Sequence, residues 1–162
     1  MDIPKRALDD YELECQMLHD FFSDISCGTF VEVGSNHPTV LNLTYPLEQE
    51  GWSWLLVEPI PELAEQLRVA RQNAEVCQAA CSSPEKAGKV NFYVSGNSGD
   101  ENLDPNTAFG GASCLEKNID DYSTEYSRTI QIECVPLKEL LCLHKIKKIG
   151  EADTGLFCLK VI

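Results

Sequence analysis

Helix-like and strand-like patterns of apolar residues alternate three times in the first half of the chain. A helical stripe precedes Thr29–Val33, a second precedes Ser53–Glu58, and a third precedes Glu75–Ala80. Strict alternation of this kind is typical of parallel strands joined by crossover helices. The sequence therefore predicts an α/β fold, with a doubly wound, mostly parallel sheet and right-handed crossovers.

Each helical pattern has one apolar face that is expected to cover the sheet. The first helix is predicted to end at Cys27-Gly28, the second to span about 39–50 before a C-cap at Gly51, and the third to begin at Pro61. The inward residues are predicted to be Leu8, Tyr11, Cys15, Leu18, Phe22 and Ile25, then Val40, Leu43 and Leu47, then Leu63, Leu67 and Ala70.

The second half of the chain has a different organisation. Alternating strands are predicted over 89–95 and Thr129–Val135, separated by a segment rich in Gly, Asn and Asp at 96–111. That segment is either a functional lid or a disordered insertion. A short helix is expected from Pro136, and a buried strand over 155–162. Because the chain stops inside an apolar strand, we expect one domain whose sheet lacks its C-terminal strands.

Composition excludes some classes of partner. The net charge is −13, so the chain is poorly suited to bind nucleic acid or an anionic membrane surface. No apolar run reaches membrane-spanning length and no signal sequence is evident, which favours a cytoplasmic location.

Eight scattered cysteines form no CxxC pair and are predicted to be reduced core thiols. Cys77 and Cys81 lack further ligands, so no metal site is predicted.

Polar residues follow the first two strands of the predicted sheet. Carboxyl ends of parallel strands share one rim, which places Gly34–Pro38 beside Glu58-Pro59. An acid at the end of the second strand is the usual acceptor for the two hydroxyls of a ribose. A nicotinamide dinucleotide also needs a glycine-rich pyrophosphate cradle, whereas Gly34 stands alone and Pro38 has no N–H. S-adenosylmethionine has a ribose, no phosphate and a cationic end that suits the acid Glu32, so it is the favoured ligand.

The segment 30–61 resembles the opening of the FkbM-type methyltransferases, a family of class I S-adenosylmethionine-dependent enzymes that are typically O-methyltransferases. The resemblance rests on FVEVGSN at the first strand end, on Asn42 with Thr44, on Gly51-Trp52, and on Glu58-Pro59-Ile60-Pro61. Later segments resemble the family more loosely: VCQAACSS, FGGASCLE with Ser113, and IECVPLKELL. GLFCLKVI departs from the family pattern, because Ile162 stands where an Asp is expected and the following Glu-Gly is absent.

The resemblance implies a Rossmann-like fold and a set of cofactor-binding residues. Glu32, Gly34 and Asn36 would hold the methionine end, with Ser35 beside them, Glu58 would bind the ribose next to Pro59, and Ala80 or Cys81 would border the adenine. Residues 29–95 would form the cofactor-binding half, 96–128 a loop-rich insertion, and 129–162 the start of the acceptor-side half. No catalytic residue is assigned, and His37 is a candidate base that more often has a structural role.

Three functions remain open at this point. The first is methyl transfer to a small-molecule or glycan hydroxyl, and the second is a non-catalytic cofactor-binding fragment or pseudoenzyme. A nicotinamide-dependent oxidoreductase is the third and is disfavoured by the loop at Gly34.

Overall fold

The computed structural model describes residues 5–26, 28–95, 114–115, 126–144, 146 and 156–161, without the side chains of Ala7 and of 156–161. The predictions for Cys27, for the segment 96–111, for Ser113 and for Ile162 lie outside these ranges. The elements in chain order are α1 (Lys5–Phe22), β1 (Thr29–Val33), α2 (Tyr45–Gln49), β2 (Ser53–Val57), α3 (Pro61–Ala70), β3 (Glu75–Cys77), β4 (Ala80–Ser82), a 3-10 turn (Pro84–Lys86), β5 (Gly88–Ser95), β6 (Tyr126–Pro136), α4 (Leu137–Leu143) and β7 (Leu156–Val161).

Four strands form a parallel sheet in the order β3-β2-β1-β7. The first three strands are added in one direction and β7 lies on the other side of β1, so a topological switch point falls between β1 and β7. All carboxyl ends lie on one rim because every pairing is parallel. The predicted α/β class and parallel sheet are confirmed.

Both faces of this sheet are covered by helices. On one face, Phe30, Trp54 and Leu56 pack with Phe22 of α1 and Leu67 of α3. The intervening residues of the same strands point to the other face, where Val31 and Leu55 pack with Leu140 of α4. The near-continuous apolar runs of β1 and β2 follow from this double burial, and the doubly wound layout is present.

A second sheet of three strands has the order β4-β6-β5. The β5–β6 pair is antiparallel and the β4–β6 pair is parallel. Apolar side chains of this sheet, including Phe92 and Ile132, pack against Ile60 and Leu63 at the start of α3. The sequence patterns predicted these strands but not their separation into a sheet of their own.

Two of the predicted elements are wrong in extent. The helix expected over about 39–50 is only α2, because a helix begun at Thr39 would place Pro46 in its interior against the carbonyl of Asn42. The chain instead turns through Leu41, which has φ 51°. The single strand expected over Glu75–Ala80 is divided between β3 and β4 by a tight turn in which Ala79 N–H donates to Cys77 O at 3.1 Å.

Smaller differences concern element ends. Helix α1 ends at Phe22 rather than at Cys27-Gly28, and β6 begins at Tyr126, inside the predicted insertion 96–128. Cys114, also inside that insertion, forms an antiparallel bridge with Tyr93. Leu8 and Ala70 were expected to point inward but are exposed, and Ala64 is buried in the core where Ala70 was expected.

Gly28 shows how closely the chain approaches its core before β1. A Cβ atom added there would lie 2.5 Å from the indole ring of Trp52, which is itself buried. Only glycine is therefore compatible with this contact. Within the described ranges, no helix has both the length and the apolar character needed to cross a membrane.

Candidate functional site

The carboxyl ends of β1, β2 and β3 are joined by backbone hydrogen bonds that continue past the strands. The N–H groups of Gly34 and Ser35 donate to Val57 O at 2.8 and 3.2 Å, and Glu58 N–H donates to Cys77 O at 3.0 Å. The segments after β1 and β2 therefore lie side by side at the rim, next to the switch point. The predicted proximity of Gly34–Pro38 and Glu58-Pro59 is confirmed.

The turn after β1 depends on two residues in the left-handed region of backbone space. Gly34 has φ 80°, which glycine adopts without a steric penalty, and Asn36 has φ 53°, a region in which Asn is tolerated. Between them, Ser35 is buried and its hydroxyl donates to Glu32 O at 3.2 Å. This turn directs the backbone of Asn36 toward Glu58.

Glu58 is a buried carboxyl group at the end of β2, with 3% of its surface exposed. Its Oε2 accepts from Asn36 N–H at 2.8 Å and its Oε1 accepts from Ile60 N–H at 2.9 Å. Burial raises the pKa of Glu58 to about 7; the two backbone hydrogen bonds oppose this shift, and the negative charge of Glu32 adds to it. Each carboxylate oxygen accepts one backbone donor and retains capacity for a further one.

Glu32 is fully buried within β1 and has a different environment. Its Oε2 accepts from the Thr44 hydroxyl at 2.7 Å and from Asn42 Nδ2 at 3.2 Å. The acid predicted to serve a ligand therefore also anchors the loop that leads from β1 to α2. This contact was not evident from the sequence, because it joins residues ten and twelve positions apart across an irregular turn.

Asn42 connects most of that loop. Its Nδ2 also donates to Ser35 O at 3.1 Å and to His37 O at 3.3 Å. Its Oδ1 accepts from the N–H groups of Thr44 at 3.2 Å and Tyr45 at 3.0 Å, at the entry to α2. The Asn-x-Thr pattern quoted for the resemblance thus has a local physical purpose, which is to satisfy backbone groups where the chain is neither helix nor strand.

Asn36 contributes an acceptor that has no hydrogen-bond partner among the described residues. Its Oδ1 atom is buried, while its backbone N–H is held by Glu58. A buried amide oxygen without a donor is unfavourable, and a ligand with an N–H or O–H group would satisfy it.

His37 has a structural role in the same loop. Its Nδ1 accepts from Val40 N–H at 2.9 Å and from Thr39 N–H at 3.2 Å. Burial lowers the pKa of His37, which favours the neutral ring that these two bonds require. The imidazole therefore stabilises the turn by accepting hydrogen bonds from its backbone.

Ala80 and Cys81 lie in β4 and contact the second sheet. Ala80 is buried with Ile60 in the cluster between that sheet and α3. The Cys81 thiol donates to Val135 O at 3.3 Å, and burial raises its pKa. No described hydrogen bond links either residue to the Glu58 group, so their proposed proximity to an adenine remains a prediction.

Arg71 is the residue of this region that sequence reasoning missed. It follows the last residue of α3, is fully buried, and contacts Pro38, Asn42, Thr44 and Glu48. A single Arg after a helix is ordinarily exposed, and these partners lie 23 to 33 positions earlier in the chain. The pattern of the sequence contains no local signal for its burial.

The cysteines and the acids of the described ranges do not form a metal centre. No group of three or more His, Cys, Asp or Glu side chains there is arranged to hold an ion. The six cysteines whose side chains are described are thiols, and of these Cys134 is buried and Cys142 is exposed.

Comparison with known proteins does not identify a family. No protein-family model, no curated protein and no solved structure matches the chain. Function is therefore inferred from the arrangement at the rim and from the motif resemblance.

Proposed function

We propose that this chain binds S-adenosylmethionine at the carboxyl rim of the parallel sheet and belongs to an O-methyltransferase of the FkbM type. The observation that carries the proposal is the Glu58 carboxyl group, which is buried at the end of β2 with each oxygen oriented by a backbone N–H. In a sheet of this order, an acid at that position is well suited to accept from the two ribose hydroxyls.

The residues around Glu58 fit the rest of that cofactor. The buried Asn36 Oδ1 needs a donor, which the ammonium group of the methionine end would supply. The negative charge of Glu32, which also contributes to the raised pKa of Glu58, favours a cationic ligand at this part of the rim. Gly34 allows close approach of the backbone. Ala80 and Cys81 remain the candidates to border the adenine.

The cofactor would supply an electrophilic methyl group on a sulfonium centre. The contribution of this chain would be to hold that group in line with an acceptor, and positioning of this kind accounts for a large part of the acceleration in such reactions. The acceptor is proposed to be a hydroxyl of a small molecule or glycan. The Nδ1 atom of His37 is engaged by the backbone of its own loop, so His37 is not proposed as the base.

A second candidate is a binding module that retains the cofactor site without turnover. It is favoured by the contacts of Glu32, whose Oε2 accepts from the chain's own Asn42 and Thr44. In that case the rim would have kept its architecture and its affinity for the cofactor, while no group acts on an acceptor.

Isothermal calorimetry of the 162-residue chain with three ligands tests the proposal. We expect S-adenosylmethionine and S-adenosylhomocysteine to bind, and NAD not to bind. Binding of NAD alone would contradict the assignment and favour an oxidoreductase. Formation of S-adenosylhomocysteine from S-adenosylmethionine in the presence of a panel of sugar and polyketide hydroxyls would then separate the enzyme from the binding module.

A further inference from the structure

Arg71 is the only buried basic side chain among the described residues, with 0% of its surface exposed. Burial of a guanidinium group is unfavourable unless its donors are paired and its charge is balanced. The hydrogen-bond partners of Arg71 should therefore indicate its role in the structure.

The guanidinium group of Arg71 is inserted into the loop between β1 and α2. Its Nη1 donates to Pro38 O and to Asn42 Oδ1, both at 3.2 Å, and its Nη2 donates to Thr44 Oγ1 at 3.4 Å. Its Nε donates to Glu48 Oε2 in α2, and this ion pair is almost fully buried. Three of these four partners, namely Pro38, Asn42 and Thr44, thus belong to the loop itself.

Asn42 and Thr44 extend these contacts from Arg71 to the rim. Both donate to Glu32 Oε2, and Asn42 also donates to Ser35 O. Ser35 directly precedes Asn36, whose N–H donates to Glu58 Oε2 at 2.8 Å. Hydrogen bonds, together with the peptide bond between Ser35 and Asn36, therefore connect Arg71 to the carboxyl group of Glu58.

Two aromatic rings lie close to the guanidinium group of Arg71. Arg71 Cζ lies 5.4 Å from the centroid of the Tyr45 ring and 6.0 Å from that of Trp54. Cation–π contacts at these distances are favourable, more so when desolvated. A lysine at this position would keep the charge but could not reproduce the planar fork.

We infer that Arg71 is a positioning residue, which holds the loop between β1 and α2 in the shape that ligand binding at Glu58 and Asn36 requires. This inference rests on the proposed function for its ligand, but its geometric part concerns the loop alone. The simpler alternative is that Arg71 only balances the charge of Glu48, in which case the loop would keep its shape when both charges are removed together.

Amide hydrogen exchange in three variants separates these two roles. Arg71→Met removes the guanidinium group. The double variant Arg71→Met, Glu48→Leu removes the whole ion pair. Arg68→Met is the matched control. Arg68 lies in the last turn of α3, three positions before Arg71, but is exposed and forms an ion pair with Glu65. The reporter amides are those of Asn36 and Val40 in the loop and of Tyr45 at the start of α2, and the reference is Leu56 in the β1–β2 pairing.

A positioning role predicts faster exchange in the loop for both Arg71 variants. Because charged hydrogen bonds are lost, we expect an acceleration of about tenfold or more at the loop amides relative to Leu56, and none for Arg68→Met. Affinity for S-adenosylhomocysteine, measured by calorimetry, should fall by about tenfold or more in the same two variants. If Arg71→Met alone does not fold, hydrogen exchange and ligand affinity are compared between the wild type and the double variant.

Two results would overturn the inference. Normal loop protection and ligand affinity in the double variant would show that Arg71 only balances Glu48. Equal acceleration at the loop and at Leu56 would show that Arg71 only stabilises the fold. A wild-type chain that binds no S-adenosylhomocysteine would contradict the proposed function instead, and the exchange pattern would then decide the role of Arg71 by itself.

Discussion

Glu32 and Glu58 are two buried acids at one rim, and their surroundings give them different properties. Glu32 accepts side-chain donors from the loop behind it, whereas Glu58 accepts only backbone N–H groups in its described hydrogen bonds. Both acids were predicted as site residues because each ends or lies within an apolar strand. Glu32 contacts Asn42 and Thr44, whereas Glu58 contacts the backbone of Asn36, and strand patterns do not encode this difference.

The raised pKa of Glu58 predicts a specific dependence of stability on pH. Burial raises it from 4.5 to about 7 in the folded chain, so the folded state binds more protons than the unfolded state between these values. The contribution of Glu58 to stability is therefore fully present below about pH 4.5 and is lost as the pH rises through about 7.

Urea denaturation of the wild type and of Glu58→Gln between about pH 4 and pH 8 measures this effect. The free energy of unfolding of the wild type should fall by roughly 3 kcal/mol relative to the variant as the pH rises across that range. Glu58→Gln changes the hydrogen bonds by an amount that does not vary with pH, so the slope is the readout. Parallel curves for the two proteins would contradict the raised pKa.

At the scale of elements, prediction succeeded where a local pattern decided the structure. Strand β2 is a continuous apolar run and α3 begins at Pro61, and both appear as expected. It failed where the chain interrupts a pattern. Pro46 prevents the helix that was predicted to begin at Thr39, and the turn at Ala79 divides the predicted third strand. Hydrophobic spacing reports which residues are inward, but it does not report where the backbone leaves one sheet for another.

Helix α4 offers a test of the second covered face of the sheet. Leu140 is fully buried against β1 and β2, whereas Leu143 on the same helix is 72% exposed. Leu140→Ala should lower the free energy of unfolding by about 2–5 kcal/mol, because it leaves a cavity in a close-packed interface. Leu143→Ala should change it by less than about 0.5 kcal/mol.

Denaturant unfolding of both variants measures this difference. Similar, small losses for Leu140→Ala and Leu143→Ala would show that α4 does not cover the sheet in solution. The comparison holds the residue type and the helix constant, so the difference reports burial.

At the scale of the whole molecule, the order of helices and strands in the sequence was sufficient to predict the α/β class and the shared rim of Gly34 and Glu58. The separate three-stranded sheet was not predictable, since it depends on the long-range pairing of β4 with β6. Arg71 was missed for the same reason. Its position after α3 is ordinary, and only tertiary packing brings it behind the loop at the switch point.

The central claim is that the carboxyl group of Glu58 at this rim binds the ribose of S-adenosylmethionine. The most direct test is calorimetry of S-adenosylhomocysteine with the wild type, with Glu58→Ala, and with Glu65→Ala as an exposed control from the neighbouring helix. We predict that Glu58→Ala weakens binding by about tenfold or more while Glu65→Ala leaves it unchanged. Equal affinity of the wild type and Glu58→Ala would contradict the assignment of the site.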